Sequence, residues 1–332
     1  AWFQSYLSDR TQRFLVGDNR SKIFTLDCSV PQGSVLGPLE FISYTEDVTH
    51  VFERHSVHHH IFADDMQGYV DTQLSSVDGA CLRVHNCSTE LCDWCASRRV
   101  QLNAAKTELA WFGKRSRLDS VATRSITIGS SIIQPSRVVR DLGVLFDSEL
   151  GMKQHIGKVT SCCFYQLRRL RQLRRLVGQE LTTQLVHAFV LSKLDYGNAA
   201  LAGLPQSTLA PLQRVQNAAA RLVLNLSPRE HVTPHFQRLH WLPVHLRIQF
   251  KLCLLMHAVH TNQSPTYLSD TVHAVASNPT RSGLRSENTA NYRKPRCNGK
   301  IGERAFSFSG PSAWNNLSPV LHNISDRATC KK

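Results

Sequence analysis

The sequence predicts an α+β first part followed by a mainly helical second part. Short runs rich in β-branched and aromatic residues alternate with turn-forming residues from Phe14 to Asp71. A helical pattern of apolar residues follows from Val77 to Arg98, and helical spacing dominates after Gly151. The chain of 332 residues exceeds the roughly 250–300 residues at which a single core stops growing, so we expect two or more domains.

The strands expected in the first part are short. They are rich in aliphatic and aromatic residues and lie at residues 14–16, 23–26 and 61–62. Residues 125–133 predict a hairpin with a Gly-Ser pair at its tip. One further strand is expected from Val138 to Phe146, and a small sheet is expected to close this part of the chain.

Three amphipathic helices are expected in the second part. The first, from Met152 to Gln179, has apolar residues along one side and basic residues without any acid on the others. The second follows periodic apolar positions from Leu209 to Leu226, and the third runs from Val244 to His260. Beyond Thr261 the chain is rich in Ser, Asn, Pro and Arg, which predicts a loosely structured tail with periodic apolar positions only from Phe306 to Leu317.

The net charge of +14 is confined to the second half of the chain. Residues 1–150 carry 15 basic and 18 acidic side chains, whereas residues 151–332 carry 24 basic and 7 acidic ones, a net charge of +17. This asymmetry predicts an acid-bearing front half beside a back half that binds phosphates. A generic basic surface is the alternative that charge alone leaves open.

Composition excludes several classes of protein. The chain is 42% hydrophobic and 19% charged, a composition that excludes collagen, coiled coils and bulk disorder. No apolar run approaches the roughly 18 residues of a membrane span. Its ten cysteines are spread without a repeating frame, so we expect thiols rather than disulfides. Cys92 and Cys95 have C-x-x-C spacing but no suitably spaced second pair, which argues against structural zinc.

Two adjacent carboxylates, Asp64 and Asp65, lie between short apolar runs. Neighbouring residues on a regular strand point to opposite faces, so we expect a turn at residues 63–65 that projects acid from a sheet edge. Two carboxylates this close repel each other unless a cation or a proton intervenes, which favours a hard divalent metal. A solvated Asp-Asp turn accounts for this short string equally well.

A second string, SVPQGSVLGPL at residues 29–39, places a proline, two glycines and an amide inside an apolar run. Gly33 permits close approach of the backbone to a ligand, and the amide of Gln32 can bond to a base or sugar edge. The apolar residues that follow can begin a helix. An irregular loop in the core is the other interpretation.

Together, VPQGSVLGPL and the FADD of residues 62–65 resemble the palm of a reverse transcriptase, specifically that of jockey-like, non-long-terminal-repeat (LINE-type) retrotransposons. The resemblance covers nearly the whole chain, and several strings in the family's order argue against coincidence. The further strings are WC at 94–95, LNAAKTE at 102–108, VRDLGVLFD at 139–147, LDYGN at 194–198 and LQRVQNAA at 212–219.

The resemblance implies a partial palm of a right-hand polymerase followed by a mainly helical thumb and C-terminal region. The implied domains are a partial palm at 1–112, a primer-grip-like β region at 113–150, a basic helical thumb at 151–205, and a helical C-terminal region with a loosely structured tail at 206–332. The implied activity is RNA-directed DNA polymerisation. Its partners would be an RNA template, a DNA primer and deoxynucleoside triphosphates, inside the cell in the nucleus or the cytoplasm and without a membrane.

Roles for single residues follow from the same resemblance. Asp64 would be the principal ligand and Asp65 an auxiliary ligand of Mg²⁺ or Mn²⁺, two ions being expected in the complete enzyme. Lys106 would neutralise or protonate pyrophosphate, although an exposed lysine without a role explains it equally well. The remaining implied residues are Gln32, Gly33 and Phe62 for nucleotide, template and primer end, Leu142 and Gly143 for the primer grip, and Arg168, Arg171 and Arg175 for the nucleic-acid backbone.

Departures from the family pattern predict reduced activity. Met66, Gly68 and Val70 differ from the residues usual at these positions in the family that the chain resembles, so we expect a degenerate or loosely packed hairpin. Trp2–Leu7 resembles a helix that follows the strand with the family's other metal-binding aspartate, which is therefore expected before the start of this chain. We accordingly expect a C-terminal fragment that is inactive in isolation.

Three hypotheses stay open. The first is a fragment of an RNA-directed DNA polymerase that uses two-metal chemistry. The second is a non-catalytic retroelement relic that binds nucleic acid through its basic helices. The third is a decayed sequence that does not fold stably.

The histidines at positions 58–60 are expected to face solvent beside the catalytic hairpin. A second group of histidines fits no common zinc spacing: His231, His235, His240 and His245.

Overall fold

The computed structural model describes residues 2–27, 30, 33–276, 290–297, 299–324 and 326. The chain divides into two compact units. The first comprises residues 1–111 and 115–136, and the second comprises residues 112–114 and 137–332. The four-part division inferred from the resemblance stays a prediction. No helix in the described ranges is both long and apolar enough to cross a membrane.

The first unit combines helices with small antiparallel sheets. Its helices are α1 (Trp2–Leu7), α2 (Gly37–Thr45), α3 (Thr49–Arg54), α4 (Val77–Ser97) and α5 (Arg115–Leu118). Its strands pair as β1 (Arg10–Gln12) with β4 (Phe24–Leu26), β2 (Leu15–Val16) with β3 (Asn19–Arg20), β5 (His58–Phe62) with β6 (Asp65–Tyr69), and β7 (Ile126–Ile128) with β8 (Ser131–Ile133). Helix α4 confirms the predicted helix, and β7–β8 confirms the predicted hairpin.

The core of the first unit lies between α3, α4 and the β5–β6 hairpin. Its buried apolar residues are Val48, Val51, Phe52, Val57, Cys87, Leu91 and Cys95. Arg54 and His55, at the end of α3, both bond to the carboxylate of Glu90 on α4. These two bonds hold the pKa of Glu90 below its usual value. The apolar cluster and the ion pair together fix α3 against α4, and the β5–β6 hairpin packs against the same cluster.

The second unit begins with one hairpin and continues as helices. The hairpin is formed by β9 (Val138–Asp141) and β10 (Val144–Asp147). The helices are α6 (Lys153–Val186), α7 (Ser192–Asp195), α8 (Gln206–Leu224), α9 (Thr233–Arg238), α10 (Val244–His260), α11 (Thr266–Ser269), α12 (Phe306–Asn315) and α13 (Pro319–His322). A π-helical turn at His187–Leu191 and a 3-10 turn at Asn198–Leu201 link α6, α7 and α8.

Helices α6, α8 and α10 share the main core of the second unit. Leu167 and Leu170 of α6 are buried in the same cluster as Leu212 and Val215 of α8 and Ile248 of α10. Helix α6 is broken at Gly178, whose φ of 72° and ψ of −175° are not helical. Burial of these apolar stripes confirms the three amphipathic helices that periodicity predicts. It also joins the predicted thumb and C-terminal helices in one packed body.

The described residues after Thr261 are more ordered than their composition suggests. Trp314 of α12 is fully buried and packs with Met256, Val259, Val272 and Tyr292 in a second cluster. The indole N–H donates to the carbonyl of Ala290 at 2.9 Å. Residues 261–276, 290–297 and 299–324 therefore include a packed structure where a loosely structured tail is predicted. Those aromatic and aliphatic contacts are too widely spaced in sequence to produce a periodic signal.

The segment from Val138 to Phe146 also differs from its prediction. It forms two strands that turn back at Leu142 and Gly143, not one continuous strand. The two hairpins between residues 126 and 147 belong to different units and form separate two-stranded sheets, so the expected single closing sheet is wrong. Leu142 has a φ of 43°, a conformation that a sequence pattern does not predict for leucine.

Candidate functional site

The two carboxylates lie at the tip of the β5–β6 hairpin. The turn consists of Ala63 and Asp64, and Phe62 pairs with Asp65 across the first rung of the ladder. Ala63 has a φ of 54°, the left-handed conformation that tight hairpins require. Both aspartates are exposed. The predicted turn at residues 63–65 is therefore confirmed, and it places two consecutive exposed aspartates at the end of a short hairpin.

One face of this hairpin packs against the core of the first unit. Ile61, Met66 and Val70 lie against the buried cluster that includes Phe52 and Val57. A Cβ atom at Gly68 would lie 3.2 Å from Phe52 Cε1, so glycine allows the strand to approach the phenyl ring closely. The expectation of a loosely packed hairpin is wrong, because the unusual residues at 66, 68 and 70 fit this particular core.

The opposite face of the hairpin presents aromatic and polar side chains. Cross-strand neighbours share a face, so Phe62 lies on the same side as Asp65. Phe62 is 60% exposed. Further along this face the rings of His58 and Tyr69 stack with centroids 5.3 Å apart. An exposed aromatic side chain therefore lies on the same face of the hairpin as Asp65 and directly across the strand pair from it.

The three histidines of β5 do not share one environment. His58 is exposed, as predicted, but His59 is half-buried and stacks on Phe52 with ring centroids 5.3 Å apart. His60 is also only partly exposed. The prediction that all three face solvent is wrong, because alternation along the strand sends position 59 to the core face.

The carboxylate chemistry of the tip fits a hard divalent cation, but the donors are few. Aspartate oxygens are suitable ligands for Mg²⁺ and Mn²⁺. Among the described residues there is no group of three or more His, Cys, Asp or Glu side chains that could hold a metal ion. Asp64 and Asp65 can thus contribute ligands to a metal site, and the described residues do not close that site by themselves.

The other residues predicted for this half of the site have different environments. Gly33 adopts a φ of 81° in the turn before α2, a conformation that glycine tolerates without strain. Gln32 lies outside the described residues. Lys106 is exposed at the end of the 3-10 turn Ala104–Lys106. Shortly before this turn, the half-buried Leu102 packs against the core between α3 and α4. Gly33 and Lys106 thus both lie on turns next to regular elements of the first unit.

The predicted primer-grip residues form the turn of the β9–β10 hairpin. Asp141 pairs with Val144, which leaves Leu142 and Gly143 as a two-residue turn with φ angles of 43° and 87°. The hydroxyl of Tyr196 donates to the carbonyl oxygen of Leu142. Tyr196 lies in the family-like LDYGN string, for which the sequence predicts no function. Its partner is 54 residues away, so sequence reasoning had no signal for this hydrogen bond.

The predicted backbone-binding arginines lie on α6. Arg168, Arg171 and Arg175 are exposed and follow the i, i+3, i+7 spacing that places side chains on one helix face. Arg174, from the same basic run, is different. Its guanidinium donates to the carbonyl oxygens of Leu222 and Val223, both at 3.2 Å. These carbonyls end α8, where a cation opposes the negative end of the helix dipole, so Arg174 is a structural residue.

A buried imidazole supports the junction between the hairpin and α6. His155 is 6% exposed and its Nδ1 accepts a hydrogen bond from the backbone N–H of Leu145 at 3.3 Å. Burial lowers the pKa of His155 below its ordinary value, because the charged form loses its hydration. Asp147 accepts bonds from the backbone N–H groups of Gly151 at 2.7 Å and Met152 at 2.6 Å. Neither residue carries a sequence signal for this supporting role.

Comparison with known proteins identifies the first unit most clearly. Residues 1–145 match the family described as reverse transcriptase (RNA-dependent DNA polymerase). The probable RNA-directed DNA polymerase from transposon BS of Drosophila melanogaster is 28% identical over 193 residues, which is 55% of this chain and 20% of that protein.

A second relative gives the same result. The RNA-directed DNA polymerase from mobile element jockey of Drosophila melanogaster is 26% identical over 161 residues, which is 47% of this chain and 17% of that protein. The matches thus span about a fifth of the length of these two relatives. These matches confirm the resemblance seen in the sequence: residues 1–145 are similar to the reverse transcriptase family, and the two relatives are RNA-directed DNA polymerases of mobile elements, one of them jockey.

Proposed function

We propose that this chain is part of an RNA-directed DNA polymerase in which Asp64 and Asp65 hold divalent ions. The observation that carries the proposal is the carboxylate pair on a tight turn of a hairpin whose other face is packed on the core. Such packing positions the backbone of the turn that carries the two acidic groups. The match of residues 1–145 to the reverse transcriptase family supports the same assignment.

The roles of neighbouring residues follow from their chemistry. Bound Mg²⁺ or Mn²⁺ would lower the barrier to attack by the primer 3′ hydroxyl and would stabilise the leaving pyrophosphate. Phe62, exposed beside Asp65, would pack on the sugar or base at the primer end. Gly33 and Gln32 would line the nucleotide and template pocket. Lys106 would supply positive charge to pyrophosphate.

Template, primer and nucleotides are the proposed partners of this site. The turn formed by Leu142 and Gly143 would hold the primer strand, and the exposed face of α6 would contact duplex phosphates. The turn lies within the range that matches the reverse transcriptase family, residues 1–145, and the assignment for α6 extends the proposal beyond that range.

Two measurements test the catalytic assignment. Mn²⁺ is expected to broaden the amide resonances of residues 62–67 in the wild-type chain, and Asp64→Asn and Asp65→Asn are each expected to reduce that broadening. The matched control is Asp71→Asn, because Asp71 is an exposed aspartate that follows the hairpin. Equal broadening in all variants would refute metal binding at the tip. Primer extension on an RNA template that persists in Asp64→Asn would refute the catalytic role.

A second candidate function is nucleic-acid binding without catalysis. The exposed arginines on one face of α6, within a half that carries a net charge of +17, favour it. Removing one cation that neutralises a phosphate reduces the slope of log K against log salt by about 1. Replacing Arg168, Arg171 and Arg175 by alanine is therefore expected to reduce the slope by about 3.

The control for this binding test removes three exposed arginines from the first unit: Arg20, Arg83 and Arg99. It makes the same change in net charge at a different place. If both triple variants lose the same amount of salt dependence, the α6 face is not the binding surface. Loss confined to the α6 variant, with no nucleotide incorporation by the wild-type chain, would favour the non-catalytic function.

A further inference from the structure

We propose that Tyr196 and Gly197 are positioning residues that fix the Leu142–Gly143 turn in the conformation that binds the primer strand. The proposal rests on the primer-grip role given to this turn above. It assigns a function to the LDYGN string, which connects the hairpin at the start of the second unit with α10.

The Leu142–Gly143 turn needs support from outside its own hairpin. Both residues have positive φ, 43° and 87°, and the turn contains only these two residues. Asn and Gly are the usual residues at both central positions of such turns, whereas leucine is disfavoured there because of its Cβ. A leucine in this conformation persists where surrounding structure determines it.

Tyr196 provides that support through two contacts. Its hydroxyl donates to the carbonyl oxygen of Leu142. Its ring lies against Gly143, since a Cβ atom built there would be 3.5 Å from Tyr196 Cε1. Tyr196 is 58% exposed, so burial in the core does not explain the residue. We therefore attribute the position of the tyrosine to its hydrogen bond and its ring contact with the turn.

Gly197 brings the backbone of the same string against β10. It has a φ of 63°, and a Cβ atom at this position would lie 2.9 Å from Val144 Cγ2. Val144 is the first residue of β10 and directly follows the turn. Gly197 therefore combines a left-handed backbone with a close approach, and both features exclude a larger side chain.

Asp195 anchors the string to α10. The guanidinium of Arg247 donates from Nε to Asp195 Oδ1 at 2.8 Å and from a terminal nitrogen to Oδ2. A two-bond pair of this kind fixes orientation as well as distance. The amide of Asn198 lies 3.4 Å from Asp195 Oδ1. Because Asp195 directly precedes Tyr196, this anchor sets the place from which the tyrosine reaches the turn.

The free protein tests the hydrogen bond itself, without any substrate. Tyr196→Phe keeps the ring and removes the hydroxyl. Amide hydrogen exchange at residues 141–144 is expected to quicken by about 3- to 10-fold, as for the loss of one hydrogen bond. Tyr44→Phe is the matched control, because the Tyr44 hydroxyl also donates to a backbone carbonyl, that of Arg98 at 2.8 Å, in the first unit. The control is expected to leave exchange at 141–144 unchanged.

Binding to primer–template tests the positioning role. The probes are an RNA–DNA duplex with a recessed DNA 3′ end and a blunt duplex of the same length. Tyr196→Phe is expected to lower the preference for the recessed end by about 3- to 10-fold, with binding to the blunt duplex unchanged.

The outcomes separate this proposal from the function on which it rests. Unchanged exchange at 141–144 would overturn the hydrogen bond as the determinant of the turn. Faster exchange with an intact preference for the recessed end would overturn the positioning role. A wild-type chain without any such preference would overturn the primer-grip function, while the exchange result would still decide whether Tyr196 holds the turn.

Discussion

Replacing Gly197 by alanine is expected to destabilise the second unit by about 2–5 kcal/mol. A non-glycine residue in the left-handed region costs about 1–2 kcal/mol. The new methyl group would also stand 2.9 Å from Val144 Cγ2, and Val144 is only 7% exposed and stiff in its rotamer. Overpacking of this kind costs about 1–3 kcal/mol. The two costs add because they have separate physical origins.

Urea-induced unfolding followed by tryptophan fluorescence measures this decrease in stability. Trp241 and Trp314 are both buried in the second unit and report on its unfolding. The control is Gly129→Ala, because Gly129 has a similar φ of 58° and open space around its missing Cβ. That variant is expected to lose only the backbone cost of about 1–2 kcal/mol, measured by hydrogen exchange in its own hairpin.

A double-mutant cycle isolates the steric part. Val144→Ala removes two methyl groups and is expected to cost about 1.6 kcal/mol by itself. In that background Gly197→Ala is expected to cost only about 1–2 kcal/mol, because the clash is gone. Equal costs of Gly197→Ala in both backgrounds would refute the clash. A cost below about 0.5 kcal/mol in the wild-type background would refute both parts of the reasoning.

Two further predictions concern the helices of the second unit. Arg174→Met is expected to lower the stability by about 1–3 kcal/mol in urea unfolding, since it removes the bonds to the end of α8, whereas the exposed Arg175→Met is expected to stay within about 0.5 kcal/mol of wild type. Equal losses in the two variants would contradict the capping role. The chain is also expected to lose stability as the pH falls below about 7, because burial lowers the folded-state pKa of His155 and the unfolded chain then binds more protons. The stability is fully present above the unfolded pKa of about 6.5 and is lost as the pH falls toward the folded value. Burial also lowers the pKa of His187 and of His260, so His155→Gln is expected to reduce, and not to abolish, the dependence of Tm on pH between about 7.5 and 5. An equally steep pH dependence in that variant would exclude His155 as one of its sources.

Local patterns predicted much of the helical structure. Apolar periodicity gave α4 and α10 with ends close to those observed. The Gly-Ser pair gave the turn of β7–β8. These features depend on residues that are near one another in sequence, so local periodicity and turn residues are enough to predict them.

Turn chemistry explains the clearest failure. The β9–β10 hairpin was missed because Leu142, which has no turn preference, occupies a left-handed position there. The hydrogen bond with Tyr196 that accompanies this conformation crosses 54 residues. A pattern search reads neighbours along the chain and cannot see such a partner.

The candidate site was predictable in its chemistry and only partly in its packing. The FADD string indicated adjacent carboxylates on a turn, and the turn is present at Ala63 and Asp64. The packing of the hairpin was not predictable, because Gly68 fits only in relation to Phe52.

The sequence by itself determined the family resemblance, the adjacent acids at Asp64 and Asp65, and the concentration of positive charge after residue 150. Tertiary structure alone decided which basic residues of α6 face outward, since Arg174 caps α8 while Arg175 remains exposed. It also decided the partner of Tyr196. The physical reason is the same in both cases: composition and spacing record the chemistry of a side chain, whereas burial and hydrogen bonding depend on groups that folding brings from distant parts of the chain.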